Sequence, residues 1–177
     1  MDSDFLKRSD NDFLQRSLIG ILVSIVIWPI LAVFTGFYAR APEFNNAFII
    51  PFVIISALRL LQAYYHKRLH DYSILLCRYT MLGLCLIHSM ILGILLAFVT
   101  VIPEYQDMRM VVIMVVVGLA SGASASLSTK PTFTKIYIFT LLLPGAIACL
   151  MVDHLRYFIM IYMLLWVYFS TVTTRYF

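Results

Sequence analysis

The sequence predicts an all-α integral membrane protein, a bundle of six transmembrane helices, and three observations support this. Of 177 residues, 62% are hydrophobic and 12% are charged, which is more apolar surface than a water-soluble core could bury. The apolar residues form runs of about 20 residues, the length that an α-helix needs to cross about 30 Å of hydrocarbon. These runs are continuous, whereas the strands of a membrane barrel alternate polar and apolar residues.

Six predicted membrane segments follow one another with short connections. They cover about residues 18–38, 48–65, from after 72 to 102, 110–127, 136–151 and 157–177. The third is so long that it must tilt, project beyond the bilayer or include an interfacial turn. Residues 1–16 are predicted to be a cytoplasmic N-terminal segment, and residues 17–177 a single transmembrane domain.

The distribution of basic residues predicts the orientation, because cytoplasmic loops carry an excess of Lys and Arg. The N-terminal segment and the connections after the second and fourth segments hold Lys7, Arg8, Arg16, Lys67, Arg68, Lys130 and Lys135. The opposite connections combine three arginines with four acids: Arg40, Arg109, Arg156, Glu43, Glu104, Asp107 and Asp153. Both termini are therefore predicted to be cytoplasmic.

The predicted membrane segments contain no Asp or Glu, which disfavours ion-coupled transport because such carriers usually keep an intramembrane carboxylate. The sequence also lacks a Gly-rich phosphate loop and a nucleophile elbow, so these residues are not expected to form an enzyme. The net charge of +4 comes from basic residues scattered over loops, so the expected partner is the lipid bilayer and not nucleic acid. Cys77, Cys85 and Cys149 lie in apolar runs and are predicted to be small buried residues without disulfides.

His88 lies near the middle of the third segment and is a candidate for ligand binding. An unpaired imidazole is costly in hydrocarbon, so we expect this side chain to face the bundle interior and to find a hydrogen-bond partner. A neighbouring Ser, Thr or Tyr is the expected partner, and a ligand or haem is the alternative. Because haem usually takes a second axial ligand and no second central histidine exists, no cofactor is predicted.

Arg59 and Arg78 lie six or seven residues inside the predicted cytoplasmic boundary of two consecutive segments. Snorkelling toward the interface is the expected arrangement at that depth. Phosphate headgroups, Asp71 or an anionic ligand would neutralise the two guanidinium groups, so both residues are candidates for binding.

His66 and His70 are four residues apart, with Asp71 alongside, which is a spacing that can hold a metal ion on a helix. Lys67 and Arg68 raise the local positive potential and disfavour a cation. The preferred interpretation is a cytoplasmic loop that contacts lipid headgroups, so no metal site is predicted.

Trp28 and Trp166 lie near the middle of the first and last segments, away from the interfaces where tryptophan usually collects. Packing against the core or lipid is the default interpretation. If both rings point inward, they would form with His88 an apolar pocket near the midplane, so both are candidates for ligand binding.

Small residues recur every four positions at the end of the fourth segment, at Gly118, Gly122 and Ser126. Such a face lets another helix approach closely, and packing within the bundle is favoured over packing against a second copy. Pro144 and Gly145 predict a kink in the fifth segment.

Four features carry a resemblance to a known family: the LRLL pattern around Arg59, the long third segment, the sequence GLASGASASLS and the sequence LLLPGAIACL with its central Pro144. Through them, residues 78–177 resemble the polytopic N-terminal sensor regions, of the membrane-associated sensor type, of bacterial diguanylate cyclases and sensor histidine kinases. The resemblance implies a sensory input role in the bacterial inner membrane and a homodimer. It also implies that the last helix continues past Phe177 into a cytosolic output domain, as its apolar end without a polar tail leads us to expect.

The leading hypothesis is a membrane sensor that binds a small apolar or amphipathic molecule between its helices and shifts the last helix. The rival hypothesis is a small carrier or a structural subunit of a membrane complex, and in the carrier a cavity opens alternately to each side. The third hypothesis is a simple membrane anchor that determines dimerisation.

Overall fold

Helices make up the described part of the chain. A computed structural model describes residues 3–34, 36–127, 130–152 and 156–175. Within these ranges the side chains of some helical residues, among them Trp28 and Ser126, are not described. Over these ranges the chain is all-α, without a strand. The helices are α1 (Ser3–Phe34), α2 (Phe37–Arg40), α3 (Pro42–Tyr72), α4 (Ile74–Val101), α5 (Gln106–Ser126), α6 (Pro131–Leu150) and α7 (Arg156–Arg175), with a 3-10 turn at Pro103–Tyr105.

Among the described residues, four stretches are long and apolar enough to cross a membrane: Pro42–Tyr64, Ile74–Val101, Met108–Ala125 and Pro131–Leu150. The apolar part of α7, Phe158–Val172, is shorter. Four such helices indicate a membrane protein. The six crossings stay a prediction.

The second half of the chain follows the predicted segments closely. The third segment is one uninterrupted helix, α4, of 28 residues. At 1.5 Å per residue its length is about 42 Å, which exceeds the hydrocarbon thickness, so the helix must tilt or project if it crosses. The bounds of α5, α6 and α7 agree with the fourth, fifth and sixth predicted segments to within a few residues.

The first predicted connections are wrong in detail. Helix α1 includes residues 3–16 of the predicted N-terminal segment, whose cytoplasmic location stays a prediction, and it ends at Phe34 and not near residue 38. Gly36 makes the turn there, with φ of 65°, a left-handed conformation that favours glycine. Helix α3 starts at Pro42, because proline at the first turn gives up an N–H that has no helical partner anyway.

Helix α3 also continues further than predicted. It reaches Tyr72, so the expected headgroup-contacting loop around His66 and His70 is helical instead. Ser73 alone separates α3 from α4. Its N–H donates to the Leu69 carbonyl at 2.9 Å, and its Oγ accepts from the N–H of Leu76 at 3.3 Å. Ser73 thus ends α3 and caps α4, so that a single residue connects the two helices in place of a longer polar loop.

The chain divides into two compact units, Met1–His88 and Ser89–Phe177, and the division falls inside α4. In the first unit the fully buried side chains include Phe13, Ile21 and Met81. In the second they include Leu96, Ile138 and Leu141. The three cysteines are unpaired and buried, as predicted.

In the second unit, α4 and α6 meet at two glycines. A Cβ built on Gly93 would lie 2.7 Å from the Leu141 carbonyl oxygen and 3.0 Å from Pro144 Cγ. A Cβ on Gly145 would lie 2.7 Å from Leu96 Cδ2. Glycine at these positions allows the close helix contact, which is how helices in lipid gain packing energy.

The predicted small-residue face of α5 does not take part in such a contact. Gly118 and Gly122 are exposed, and a Cβ on either would meet no atom within 4 Å. Close packing at Gly118 and Gly122 is therefore not found among the described residues; the close glycine contacts lie at Gly93 and Gly145.

Gly93→Ala should lower the free energy of unfolding by about 1–3 kcal/mol, because the new Cβ would overlap a backbone oxygen. Thermal unfolding in detergent micelles would measure this. Gly83→Ala is the matched control in the same helix, with no atom within 4 Å of the new Cβ, and it should be neutral or slightly stabilising. Equal melting temperatures for the two variants would contradict the close contact.

Candidate functional site

The buried face of α3 is polar. Its buried residues are Asn45, Phe52, Ser56, Arg59, Gln62 and His66, and every one except the phenylalanine can form side-chain hydrogen bonds. Spacings of three and four residues from Phe52 to His66 put these side chains on one face of the helix. In a helix that can cross a membrane, polar side chains are expected to face protein and not lipid.

Side chains of α4 supply partners for this face. At the Ser73 end, His66 Nδ1 lies 3.3 Å from Cys77 Sγ. One turn away, the Gln62 amide donates to the Cys77 carbonyl at 3.2 Å and to Thr80 Oγ1 at 3.3 Å. We call these contacts, together with the Arg59–His88 contact described next, the polar seam.

Arg59 and His88 form the contact of the polar seam that lies furthest from Ser73. Arg59 Nη1 lies 2.7 Å from His88 Nδ1, and the two residues are 7% and 1% exposed. A guanidinium group has only N–H donors, so Nδ1 must accept this hydrogen bond. His88 is therefore the neutral tautomer that carries its proton on Nε2.

Two further side chains surround this pair. The Phe52 ring packs edge-on against the His88 ring, with centroids 4.8 Å apart, and the buried Cys85 thiol lies near the Arg59 side chain. Within the described part of the chain, the buried atoms His88 Nε2 and Ser56 Oγ have no hydrogen-bond partner. The site thus contains the positive charge of Arg59 and two polar groups, on His88 and Ser56, that make no hydrogen bond within the described residues.

These contacts correct three expectations. Arg59 does not snorkel, because His88 holds its side chain inside the helix pair. The partner of His88 is consequently an arginine and not a Ser, Thr or Tyr. Arg78 is paired with Asp10 at 3.0 Å, and Asp10 is 2% exposed, whereas Asp71, the expected acid, is exposed.

His66 and His70 do share a face, with ring centroids 6.0 Å apart. Among the described residues, no group of three or more His, Cys, Asp or Glu side chains could hold a metal ion. His66 Nδ1 is instead engaged with Cys77 Sγ.

The second unit contains an apolar cleft between α6 and α7. Its volume is about 300 Å³. The lining residues are Phe139, Leu142, Leu143, Ala146, Ile147, Leu150, Ile159, Tyr162, Met163 and Trp166. We call this the α6–α7 cleft. It contains Trp166, one of the predicted ligand-binding residues.

Trp166 is fixed at the cleft by two contacts. Its indole N–H donates to the Lys135 carbonyl at 3.4 Å, and its ring packs against Phe139 with centroids 6.0 Å apart. His88 belongs to the other unit, and the side chain of Trp28 lies outside the described residues. The predicted pocket of these three residues stays a prediction.

Sequence reasoning missed Tyr162, which lines the cleft and lies near the Thr100 side chain. Near it, Arg109 donates to the Thr100 carbonyl at 2.9 Å, although the sequence assigned this arginine only to a charged connection. Tyr162 precedes Trp166 by four residues and so shares its helix face. That spacing could have identified both.

The neutral form of His66 should make stability depend on pH. Burial lowers the pKa of His66, the nearby His70 lowers it further, and Asp10 partly opposes this. Between this lowered pKa and 6.5, the unfolded chain binds more protons at this residue than the native chain does. Stability should therefore rise with pH in this window and level off above it. Melting temperatures in detergent between pH 5 and 7.5 would measure the slope.

His66→Gln removes this titration and should flatten the profile. His70→Gln is the comparison variant, because it keeps the buried His66 and removes one cause of its lowered pKa, so most of the slope should remain. If the slope persisted in His66→Gln, the pH dependence would have to come from another group.

No protein family, curated protein or solved structure matches this chain. Its function has to be inferred from its own residues.

Proposed function

We propose that the chain is the membrane-embedded sensory input module of a bacterial signal-transduction protein. In this proposal a small apolar or amphipathic molecule binds in the α6–α7 cleft, and α7 relays its presence to a cytosolic kinase or diguanylate cyclase domain. The observation that carries the proposal is the position of the cleft. It lies against the last helix, so an occupant would directly change the packing of the helix that passes the signal on.

The lining of the cleft favours this ligand class. All ten lining residues are apolar or aromatic, and the volume of about 300 Å³ lies at the lower end of small-molecule sites. A purely apolar molecule gains little by leaving lipid for an apolar cleft, because both surroundings are alike. Selectivity must then come from shape and from the rings of Phe139, Tyr162 and Trp166.

A ligand acts on α7 only to the extent that it binds one arrangement of α6 and α7 better than another. Helix α7 packs against α5 and α6. An occupied cleft would favour the arrangement with α6 and α7 further apart. This population shift is the proposed signal.

The proposal includes six crossings, with both termini in the cytoplasm of a bacterial inner membrane, and a homodimer. The apolar second half of α1 and the helix α7 would be the two crossings beyond the four stretches described above. An even number of crossings keeps the basic N-terminal segment and the basic connections on one side.

The topology can be tested with two introduced cysteines at exposed positions, Asp12→Cys and Glu104→Cys. A membrane-impermeant maleimide added to intact cells should label only the second, because it lies on the predicted outer side. After permeabilisation both should react. The unaltered chain, whose cysteines are buried, measures the background. Labelling of Asp12→Cys in intact cells would overturn the proposed orientation.

Ligand binding can be tested with 8-bromooctanoic acid, since bromine quenches tryptophan fluorescence on contact. In a Trp28→Phe background, only Trp166 reports. We expect saturable quenching in phosphatidylcholine nanodiscs, and Ala146→Leu should weaken it at least about tenfold by filling the cleft. Ala57→Leu, the same change at an exposed position of α3, should leave it unchanged. Quenching that never saturates, or that ignores Ala146→Leu, would contradict the proposal.

The relay needs its own measurement. Spin labels on Thr132→Cys in α6 and Thr171→Cys in α7, both exposed, would report the distance between the two helices. A distance change at saturating probe supports sensing. An unchanged distance together with faster passage of the probe across liposomes supports the rival carrier.

A further inference from the structure

Three polar side chains of the first unit remain only partly used: Ser56, Arg59 and His88. Each is at least nine-tenths buried, with exposed fractions of 2%, 7% and 1%. Ser56 Oγ and His88 Nε2 have no partner within the described residues. Buried polar atoms in native proteins almost always have a partner, which makes two such atoms in one place significant.

The helix geometry brings the three side chains together. Phe52 and Arg59 both contact His88, through a ring contact of 4.8 Å and a hydrogen bond of 2.7 Å. Ser56 lies between these two residues on the same face of α3, four positions after the first and three before the second. Ser56 therefore lies on the face of α3 that meets His88, and it is buried there.

The unused groups are all able to donate hydrogen bonds. His88 must carry its proton on Nε2, because Arg59 occupies Nδ1. The guanidinium has N–H groups beyond the one that His88 accepts, and the serine hydroxyl can donate as well. Hydrogen-bond donors close to a positive charge favour the binding of an anion, whereas a cation would find few acceptor atoms to coordinate it.

Among the described residues, no acid lies within ion-pair distance of Arg59 to neutralise its charge. Asp10 forms its ion pair with Arg78. Along α3 the acids nearest in sequence are Asp71 and Glu43, about 18 and 24 Å away at 1.5 Å per residue. A buried, uncompensated arginine is costly in a low-dielectric environment.

We propose that Ser56, Arg59 and His88 form a binding site for one small anion. The His88 Nε2–H and the Ser56 hydroxyl each donate one hydrogen bond to this anion. Arg59, which is held on the other ring nitrogen of His88, supplies a nearby positive charge without contacting the anion directly. The anion is a halide, a carboxylate or a phosphate oxygen, and its source is either the aqueous solution or a lipid headgroup. This site is independent of the α6–α7 cleft.

The test follows the ring nitrogens of ¹⁵N-labelled histidine by NMR, with the protein in non-ionic maltoside micelles that contain no phosphate. His88→Gln assigns the signal. Titration with chloride and with formate should shift the His88 Nε2–H signal saturably. The shift should be absent in Arg59→Gln, and the affinity should fall at least about tenfold in Ser56→Ala, because hydrogen bonds to charged groups are strong.

Thr80→Val is the matched control. It removes a hydroxyl from the polar seam that bonds Gln62 but does not belong to the proposed site, so anion affinity should be retained. If Arg59→Gln fails to fold, the comparison of Ser56→Ala with Thr80→Val decides. Equal affinity in these two variants would overturn the proposed site.

A second arm separates the two sources of the anion. Phosphatidylglycerol added at constant low salt should produce the shift if a headgroup is the ligand, and chloride or formate should produce it if the ligand is soluble. A His88 signal that changes in neither arm overturns the proposal. Because the cleft experiment uses Trp166 as its reporter, the two proposals fail independently.

Discussion

A polar side chain on a membrane helix must find its partner within the protein, since hydrocarbon offers none. Helix α3 has a buried face that is almost entirely polar, so it requires a neighbour that supplies hydrogen-bonding groups at matching heights. Helix α4 does this with Cys77, Thr80 and His88. The one-residue connection at Ser73 keeps the two helices antiparallel and fixes which residues meet.

The interactions that stabilise the interior of each unit differ. In the second unit, Gly93 and Gly145 let α4 and α6 pack closely, and dispersion between well-fitted surfaces stabilises the pair. In the first unit, hydrogen bonds between helices contribute about 0.6 kcal/mol each on average. Their greater effect is on specificity, because a shifted register would leave Arg59 and Gln62 without partners in a low-dielectric environment.

Hydropathy predicted the helices but not the partners. A run of apolar residues as long as α4 is helical because lipid offers its backbone groups no hydrogen-bond partner outside the run itself. The Arg59–His88 contact joins residues 29 positions apart, and the Arg78–Asp10 pair joins residues 68 apart. No local pattern encodes such pairings. The polar face of α3 was visible in principle, since Phe52, Ser56, Arg59, Gln62 and His66 recur every three or four residues. The α6–α7 cleft was not, because it depends on how two helices pack.

Within the described helices, basic and acidic side chains are distributed unequally at depth. The four candidate membrane stretches contain one carboxylate, the exposed Glu43 at the start of α3. The buried Asp10 lies outside these stretches and is already paired with Arg78. The acids available for holding a cation at depth are thus missing, whereas Arg59 lies deep in the polar seam. Among the described residues of these four stretches, a negative charge at depth would therefore meet the buried Arg59, whereas a positive charge would meet no buried carboxylate.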